Sequence, residues 1–469
     1  MKEIEPENIV LPTFLPCPRA RDARGRGGRE RGWFGSPILF THEASSWGSQ
    51  NLISEFQSHS LNIEVVRRFC YNKPMSALDG LMVGAGTRVL VVLHYYATGP
   101  GQELHQWLAQ SRGTDAALLE HPFPFSNRTT ARWLQWRDGA FASERHYRRS
   151  RLPTMPFRYA LDFLRTIRLV IAERRTYDWY IGNGSFDTLP GIVLRWLGCV
   201  RHVILYTIDY APEAAGTAWY AWLYRHIDRF CCRHADAVWN LSPRMHDARV
   251  AVGMNADRCA PVVTVPHGTH AASLRPTLPA APEPGRVAFM GHVLDKSGVH
   301  LFVETMPALA VALPSLHLDI LGDGPYVPEL KRLAAECGVA DRIAFHGYIA
   351  DHAELERRLA CCGIGLALYT DQPGDFTRTS DPGKPKVYMA CGLPVLITNV
   401  PAVAAEIGAR GAGVIVEPTR AGIQAGILRL AGDHARFRAA ALAMADEFDW
   451  LRVFDRACAE TADVLKCPV

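Results

Sequence analysis

Two lysines, Lys384 and Lys386, sit two residues apart in the stretch Asp381 to Val395, which reads DPGKPKVYMACGLPV. Asp-Pro-Gly cannot continue a helix, so the stretch opens as a loop. A short helix is predicted from Lys384 to Cys391, with Tyr388 and Met389 turned inward and Gly392 closing it as a left-handed cap. Leu393-Pro394 then leads into an apolar strand, Val395 to Thr398. A loop entering a helix offers unpaired backbone N–H groups and a positive dipole end to an anion, and two mobile lysines reinforce that. The predicted chemistry is phosphate binding, through the Gly383 amide and Lys384 above all, with Lys386 beside them. The ordinary alternative is a loop–helix–strand unit with solvated lysines.

Other glycine-bearing or polar loops share this placement. In the second half, Gly291-His292 follows the strand Val287 to Met290, and Lys296-Ser297-Gly298 leads into the next helix. Gly322-Asp323-Gly324-Pro325 follows the strand His317 to Leu321. A diphosphate at these loops would meet lysines and several backbone donors. In the first half, a polar loop with Gly48 follows Ile38 to Thr41, and His94-Tyr95-Tyr96 follows Arg88 to His94. Gly182 to Ser185 follows Trp179 to Ile181, before a helix start at Asp187, and Asp209-Tyr210 follows Val203 to Thr207. Asp209 is a candidate base, or a carboxylate that orients a sugar hydroxyl.

These loops need a scaffold that brings strand ends to one edge. The chain supplies it twice: strands alternate with helices in both halves, which argues for an α/β protein of two Rossmann-like doubly wound domains facing across a cleft. Its 469 residues exceed one ordinary core. The boundaries read as a basic leader at 1–35, a first domain at 36–270 and a Pro/Ala-rich linker at 271–285. A second domain at 286–445 and a terminal helix at 446–469 complete the chain. Residues 122–160, rich in Arg, Trp and Phe, read as a helical surface excursion or as an acceptor-side lobe that touches a membrane.

Composition narrows the class. Hydrophobic residues make up 48% and charged residues 21%, as in a soluble globular protein, and a net charge of +4 gives no reason to expect a nucleic acid partner. No apolar run reaches a membrane span, and the N-terminus lacks signal-peptide order. The expected location is the cytoplasm. The 12 cysteines have no paired zinc spacing and read as reduced, mostly buried thiols. The arginines of the leader suggest contact with anionic lipid head groups as its sharper reading.

From Gly291 to Pro418 the sequence resembles the donor half of the retaining glycosyltransferases of family four, which have the GT-B fold. Gly291…Lys296-Ser297-Gly298, Leu321-Gly322-Asp323-Gly324-Pro325, Phe345-His346-Gly347-Tyr348 and YMACGLPV at 388–395 carry the resemblance. Val265-Pro266-His267-Gly268 and Phe448-Asp449-Trp450 extend it. It implies transfer of a sugar from a nucleotide diphosphate sugar with retention of configuration, the donor on the second domain and a glycan or lipid-linked acceptor on the first. It also implies a last helix that crosses back to the first domain.

Carried over by position, Lys296 neutralises the diphosphate, Gly322 and Gly324 let the backbone approach the nucleotide, and Lys384 and the Gly383 amide lie near the phosphates and the transferred sugar. No metal or other cofactor is expected, because lysines and helix starts take a cation's place. The family's two glutamates are missing: Val387 stands at the second position, and Asp381, the carboxylate nearest the first, is expected to be catalytic together with Asp209 and Lys384. His292 replaces an arginine, and the histidine usual near Ile208 is absent beside Asp209. The alternatives are a nucleotide-sugar epimerase on the same fold and a non-catalytic partner subunit, which Val387 favours. A phosphorylase would need a longer chain and a pyridoxal phosphate lysine.

Overall fold

The computed structural model describes residues 86–466 except 96–98, 112–113, 124–125, 127, 149–154, 212–216, 281 and 373–375. The leader, the expected strands at 38–41 and 63–67, and Gly48 lie outside the described residues.

The strands, in chain order, are β1 (Arg88–Tyr95), β2 (Asp115–Pro122), β3 (Thr130–Arg137), β4 (Ala140–Arg148), β5 (Tyr177–Asn183), β6 (Val200–Thr207), β7 (Ala237–Asn240) and β8 (Val262–Thr264), followed by β9 (Glu283–Met290), β10 (His317–Leu321), β11 (Ile343–Phe345), β12 (Cys362–Ala367), β13 (Val395–Thr398) and β14 (Gly413–Val416). They form two sheets, ordered β4-β3-β2-β1-β5-β6-β7-β8 and β11-β10-β9-β12-β13-β14. All pairings are parallel except β2 with β3 and β3 with β4. Parallel strands buried on both faces need continuous apolar runs, and Val89 to Leu93 and Val395 to Ile397 supply them at near-zero exposure.

Each sheet reverses its strand order once, between β1 and β5 in the first domain and between β9 and β12 in the second. At such a switch point the loops beyond the strand carboxyl ends diverge and leave a crevice. The loops that follow β9 and β12 therefore frame the second domain's crevice.

The excursion expected as helical at 122–160 holds a β-hairpin before its helix begins at Met155. Residues 130–148 form an antiparallel hairpin, β3–β4, that extends the first sheet. Its turn is Asp138-Gly139, with φ of 50° and 76°. Positive φ at both central residues is the turn that matches strand twist, and Asp-Gly is its favoured sequence. The stretch assigned as linker is folded too: Ala271–Leu274 is a helical turn with Ala271 buried, and β9 starts at Glu283.

The final helix, Trp450–Lys466, packs on the first domain. Trp450 and Phe454 join the core that contains Val89, Val91 and Trp107. Trp239 Nε1 donates to Thr461 Oγ1 at 2.7 Å. The crossing is pinned where Thr269 N–H donates to Phe448 O (2.7 Å) and Trp450 N–H to Thr269 O (2.9 Å). A Cβ on Gly268 would stand 2.4 Å from the Trp450 ring, so this position has room only for glycine.

Candidate donor site at the carboxyl edge of the second sheet

Chain order leaves Gly291, Gly322 and Gly383 dozens of residues apart, and the fold brings their loops together. Gly291 N–H donates to Leu321 O and Val293 N–H to Asp323 O, both at 2.9 Å, which knits the loops after β9 and β10. The approach is close enough to exclude side chains. A Cβ on Gly322 would lie 1.9 Å from Gly291 O, and one on Gly324 2.3 Å from Val293 O. His292 is exposed at the same rim, with its Cδ2 2.9 Å from the Cβ position of Gly324.

Lys384 reaches this point from the other side of the crevice. Its Cε lies 2.8 Å, and its Nζ 3.3 Å, from where a Cβ on Gly291 would be. Nζ also sits 4.6 Å from the Phe289 ring centroid. Burial, and then the charge of Lys296, push the Lys384 ammonium down to about 8. Two cations thus converge without a carboxylate on Lys384 among the described residues. The helix Gly383–Ala390 starts here, and its N-cap Pro382 makes no side-chain cap. Pro385 contributes no N–H, so the amides of Gly383 and Lys384 are the exposed donors of that first turn. Gly291, Lys296, Gly322, Gly324, Gly383 and Lys384 form one cradle suited to an anion.

Lys386 and Asp381 are built differently from the expectation. Side chains two apart on a helix point to opposite sides. Lys386 therefore turns away from Lys384 and is fully buried, with Nζ 4.2 Å from the Phe448 ring centroid. It pairs with Asp381 and donates to His267 O at 2.9 Å. Asp381 Oδ2 also accepts the His267 N–H at 2.7 Å. Burial pulls the Lys386 ammonium down and Asp381 opposes that. The pair ties the end of the first domain to the phosphate loop and is not a mobile phosphate ligand. The His267 ring lies against Gly383, whose Cβ position is 2.8 Å from its Cε1. Tyr388 and Met389 are buried as expected, and Tyr388 OH accepts the Met290 N–H at 2.7 Å.

Asp209 stands across in the first domain, after β6. Its side chain keeps solvent contact, yet the protein crowded round it pushes its carboxyl above the usual carboxylate range. Beneath it, Arg249 is 1% exposed. Arg249 donates to both oxygens of Asp228, to Asn240 Oδ1 (2.8 Å) and to Thr207 Oγ1 (2.7 Å). The guanidinium fork thus locks the ends of β6 and β7 with Asp228.

A second buried group lies at the ends of β1 and β2. His94 Nδ1 donates to Asp187 Oδ1 at 2.8 Å, and His94 Nε2 lies 3.5 Å from Asp162 Oδ2. Burial would lower this imidazolium, but Asp187 and Asp162 prevail and raise it to about 10. His121 stands 3.4 Å from Asp162 and hydrogen-bonds Thr166 at 2.9 Å. The sequence flagged His94 and Asp187 as separate loops; their partnership needed β1 and β5 to be neighbours.

Comparison with known proteins agrees with this geometry. Residues 284–433 match the model of the family Glycosyl transferases group 1. The lipopolysaccharide core biosynthesis mannosyltransferase LpsB of Rhizobium meliloti is 26% identical over 239 residues, 50% of this chain and 62% of that protein. A GDP-mannose-dependent alpha-(1-6)-phosphatidylinositol monomannoside mannosyltransferase of Mycobacterium tuberculosis is 33% identical over 64 residues, 14% of this chain and 17% of that protein. The chain thus spans less than two thirds of these relatives' lengths. Among solved structures, a glycosyltransferase from Rickettsia africae superposes with a TM-score of 0.58 at 13% identity, covering 82% of this chain and all of that one. Anabaena HepE in complex with UDP gives 0.56 at 16% identity, covering 80% and 100%. Residues 284–433 are thus similar to the glycosyl transferases group 1 family, and the chain has the two-domain GT-B fold.

Proposed function

We propose that the protein is a glycosyltransferase that moves a hexosyl group from a nucleotide diphosphate sugar to a glycan or lipid-linked acceptor, with retention of configuration. The carrying observation is the convergence of Lys296 and Lys384 with the uncapped helix start at Gly383 over side-chain-free backbone at Gly291, Gly322 and Gly324. As the bond from the sugar to the diphosphate breaks, negative charge grows on the departing phosphate oxygen. Two ammonium groups and two amides held there stabilise that charge more in the transition state than in the ground state. They also supply the charge a divalent cation would, so the reaction needs no metal. Asp209, on the opposite domain, orients or deprotonates the acceptor hydroxyl. Retention rests on the family resemblance.

A relative's name makes GDP-mannose the first donor to test, and Anabaena HepE, also solved in complex with UDP-glucose, makes that donor the second. Incubation of purified protein with each donor, with and without acceptor extracts and a chelator, should release nucleotide diphosphate and survive chelation. NMR of the product's anomeric carbon reads retention directly. Isomerisation of the donor without transfer would identify an epimerase. Nucleotide binding without turnover would identify a non-catalytic subunit, the reading that Val387 favours.

A further inference from the structure

The helices Met155–Ala172, Ser185–Trp196 and Ala218–His234 lie side by side over one face of the first sheet. Their inner sides bury Ile167, Val170, Ile192, Leu194 and Cys231. Together they carry seven arginines but only three acidic residues, Asp162, Asp187 and Asp228. All three are buried. Asp162 and Asp187 face His94, Asp228 faces Arg249, and two of the arginines are paired, Arg165 with Asp162 and Arg195 with Asp236. No carboxylate of these helices is left for the outer surface.

That outer surface is aromatic as well as basic. Trp219 and Trp222 are each 55% exposed, Phe157 58% and Trp196 59%. Trp219, Trp222, His226 and Arg233 follow the helical period along a single stripe, and all four are exposed. Exposed tryptophans cost solvation in water and gain it at the head-group level of a bilayer, where the ring's apolar body and polar N–H are both matched. Arg168 and Arg233, exposed on these helices and without a carboxylate partner among the described residues, attract anionic lipid. Among the described residues no helix is long and apolar enough to cross a membrane, so the contact is one that lies in the interface.

We propose that the outer face of these three helices docks the protein onto a bilayer surface carrying anionic lipid. The helices run antiparallel to the parallel strands, so their N-terminal turns lie at the strand carboxyl ends. Tyr159 and Phe186 stack there at 4.3 Å, and Phe186 lies 6.1 Å from Tyr220. Phe157, Trp219 and Trp222 therefore sit at the end of the face nearest the cleft, and docking brings the first domain's half of the cleft to the lipid. Where the proposed transferase reading holds, that arrangement selects a lipid-linked acceptor over a soluble glycan.

The test is flotation of the full chain with vesicles of phosphatidylcholine alone or with about one third phosphatidylglycerol. Binding to the anionic vesicles should be at least about tenfold tighter, weaken in high salt and shift tryptophan emission to the blue. Trp219→Glu/Trp222→Glu should lose that advantage by about tenfold or more, and Arg168→Glu/Arg233→Glu should do the same, with the melting temperature unchanged because these side chains are exposed. Equal binding to both vesicle types, no binding, or wild-type binding by both folded variants would overturn the proposal. Flotation needs neither donor nor acceptor, so its failure leaves the transferase reading standing, and a failed transfer assay leaves docking standing.

Discussion

Removing the Lys384 charge offers a test with a thermodynamic signature. Without ligand, burial and Lys296 hold this ammonium at about 8, against an ordinary 10.5. That difference corresponds to about 3 kcal/mol of penalty on the charged form. A bound diphosphate supplies the missing counter-charge and should restore the ordinary value or exceed it. At pH 8 the free protein holds roughly half a proton on Lys384 and the complex a whole one, so nucleotide diphosphate binding should take up roughly half a proton. Calorimetry in buffers of different ionisation heats reads this number. Near pH 6.5 the uptake on Lys384 falls towards zero, because the free lysine is already protonated. Affinity should decline as pH rises through 8, approaching tenfold per pH unit. Lys384→Met should abolish the pH 8 uptake and lower turnover by about 10²- to 10³-fold, the loss typical of one oxyanion donor. Uptake that persists in Lys384→Met, or wild-type binding without uptake at pH 8, would refute the reasoning.

Three further outcomes follow from the same geometry. Gly291→Ala places a methyl 2.8 Å from Lys384 Cε on backbone with φ of 99°, and should raise donor KM by about tenfold while the fold survives, as kinetics and circular dichroism would show. Lys386→Met strands the buried Asp381 carboxylate and should cost about 3–5 kcal/mol in denaturant unfolding, much of it recovered in Lys386→Met/Asp381→Asn. His94 is raised from 6.5 to about 10, so its stabilisation is complete below pH 6.5 and lost as pH rises through about 10. The wild-type melting temperature should therefore fall between pH 7 and 10 more steeply than that of His94→Gln.

Most of the second domain was legible because local signals and tertiary outcome agree there. The apolar runs at His317–Leu321 and Val395–Thr398 are the observed strands to the residue. Glycines at strand ends mark loops that the fold presses together, and their spacing survives in the sequence. The errors came from residues whose role depends on a distant partner. Lys386 and Lys384 are alike in sequence, but a two-residue step puts one into the core against Asp381 and His267. The hairpin at 130–148 was hidden because Arg, Trp and Gln obscure its alternation, although Asp138-Gly139 marked its turn. Asp162 and Asp187 join at His94 only because helices from separate parts of the chain pack over β1.

The central claim is that a nucleotide diphosphate lies between Lys296 and Lys384. A crystal structure of the full chain soaked with GDP or UDP tests it most directly. The account predicts phosphate oxygens within hydrogen-bond reach of both Nζ atoms and of the Gly383 and Lys384 amides, with the Asp381–Lys386 pair intact beneath. Phosphates bound at another loop, or at Lys386 after that pair has opened, would contradict it.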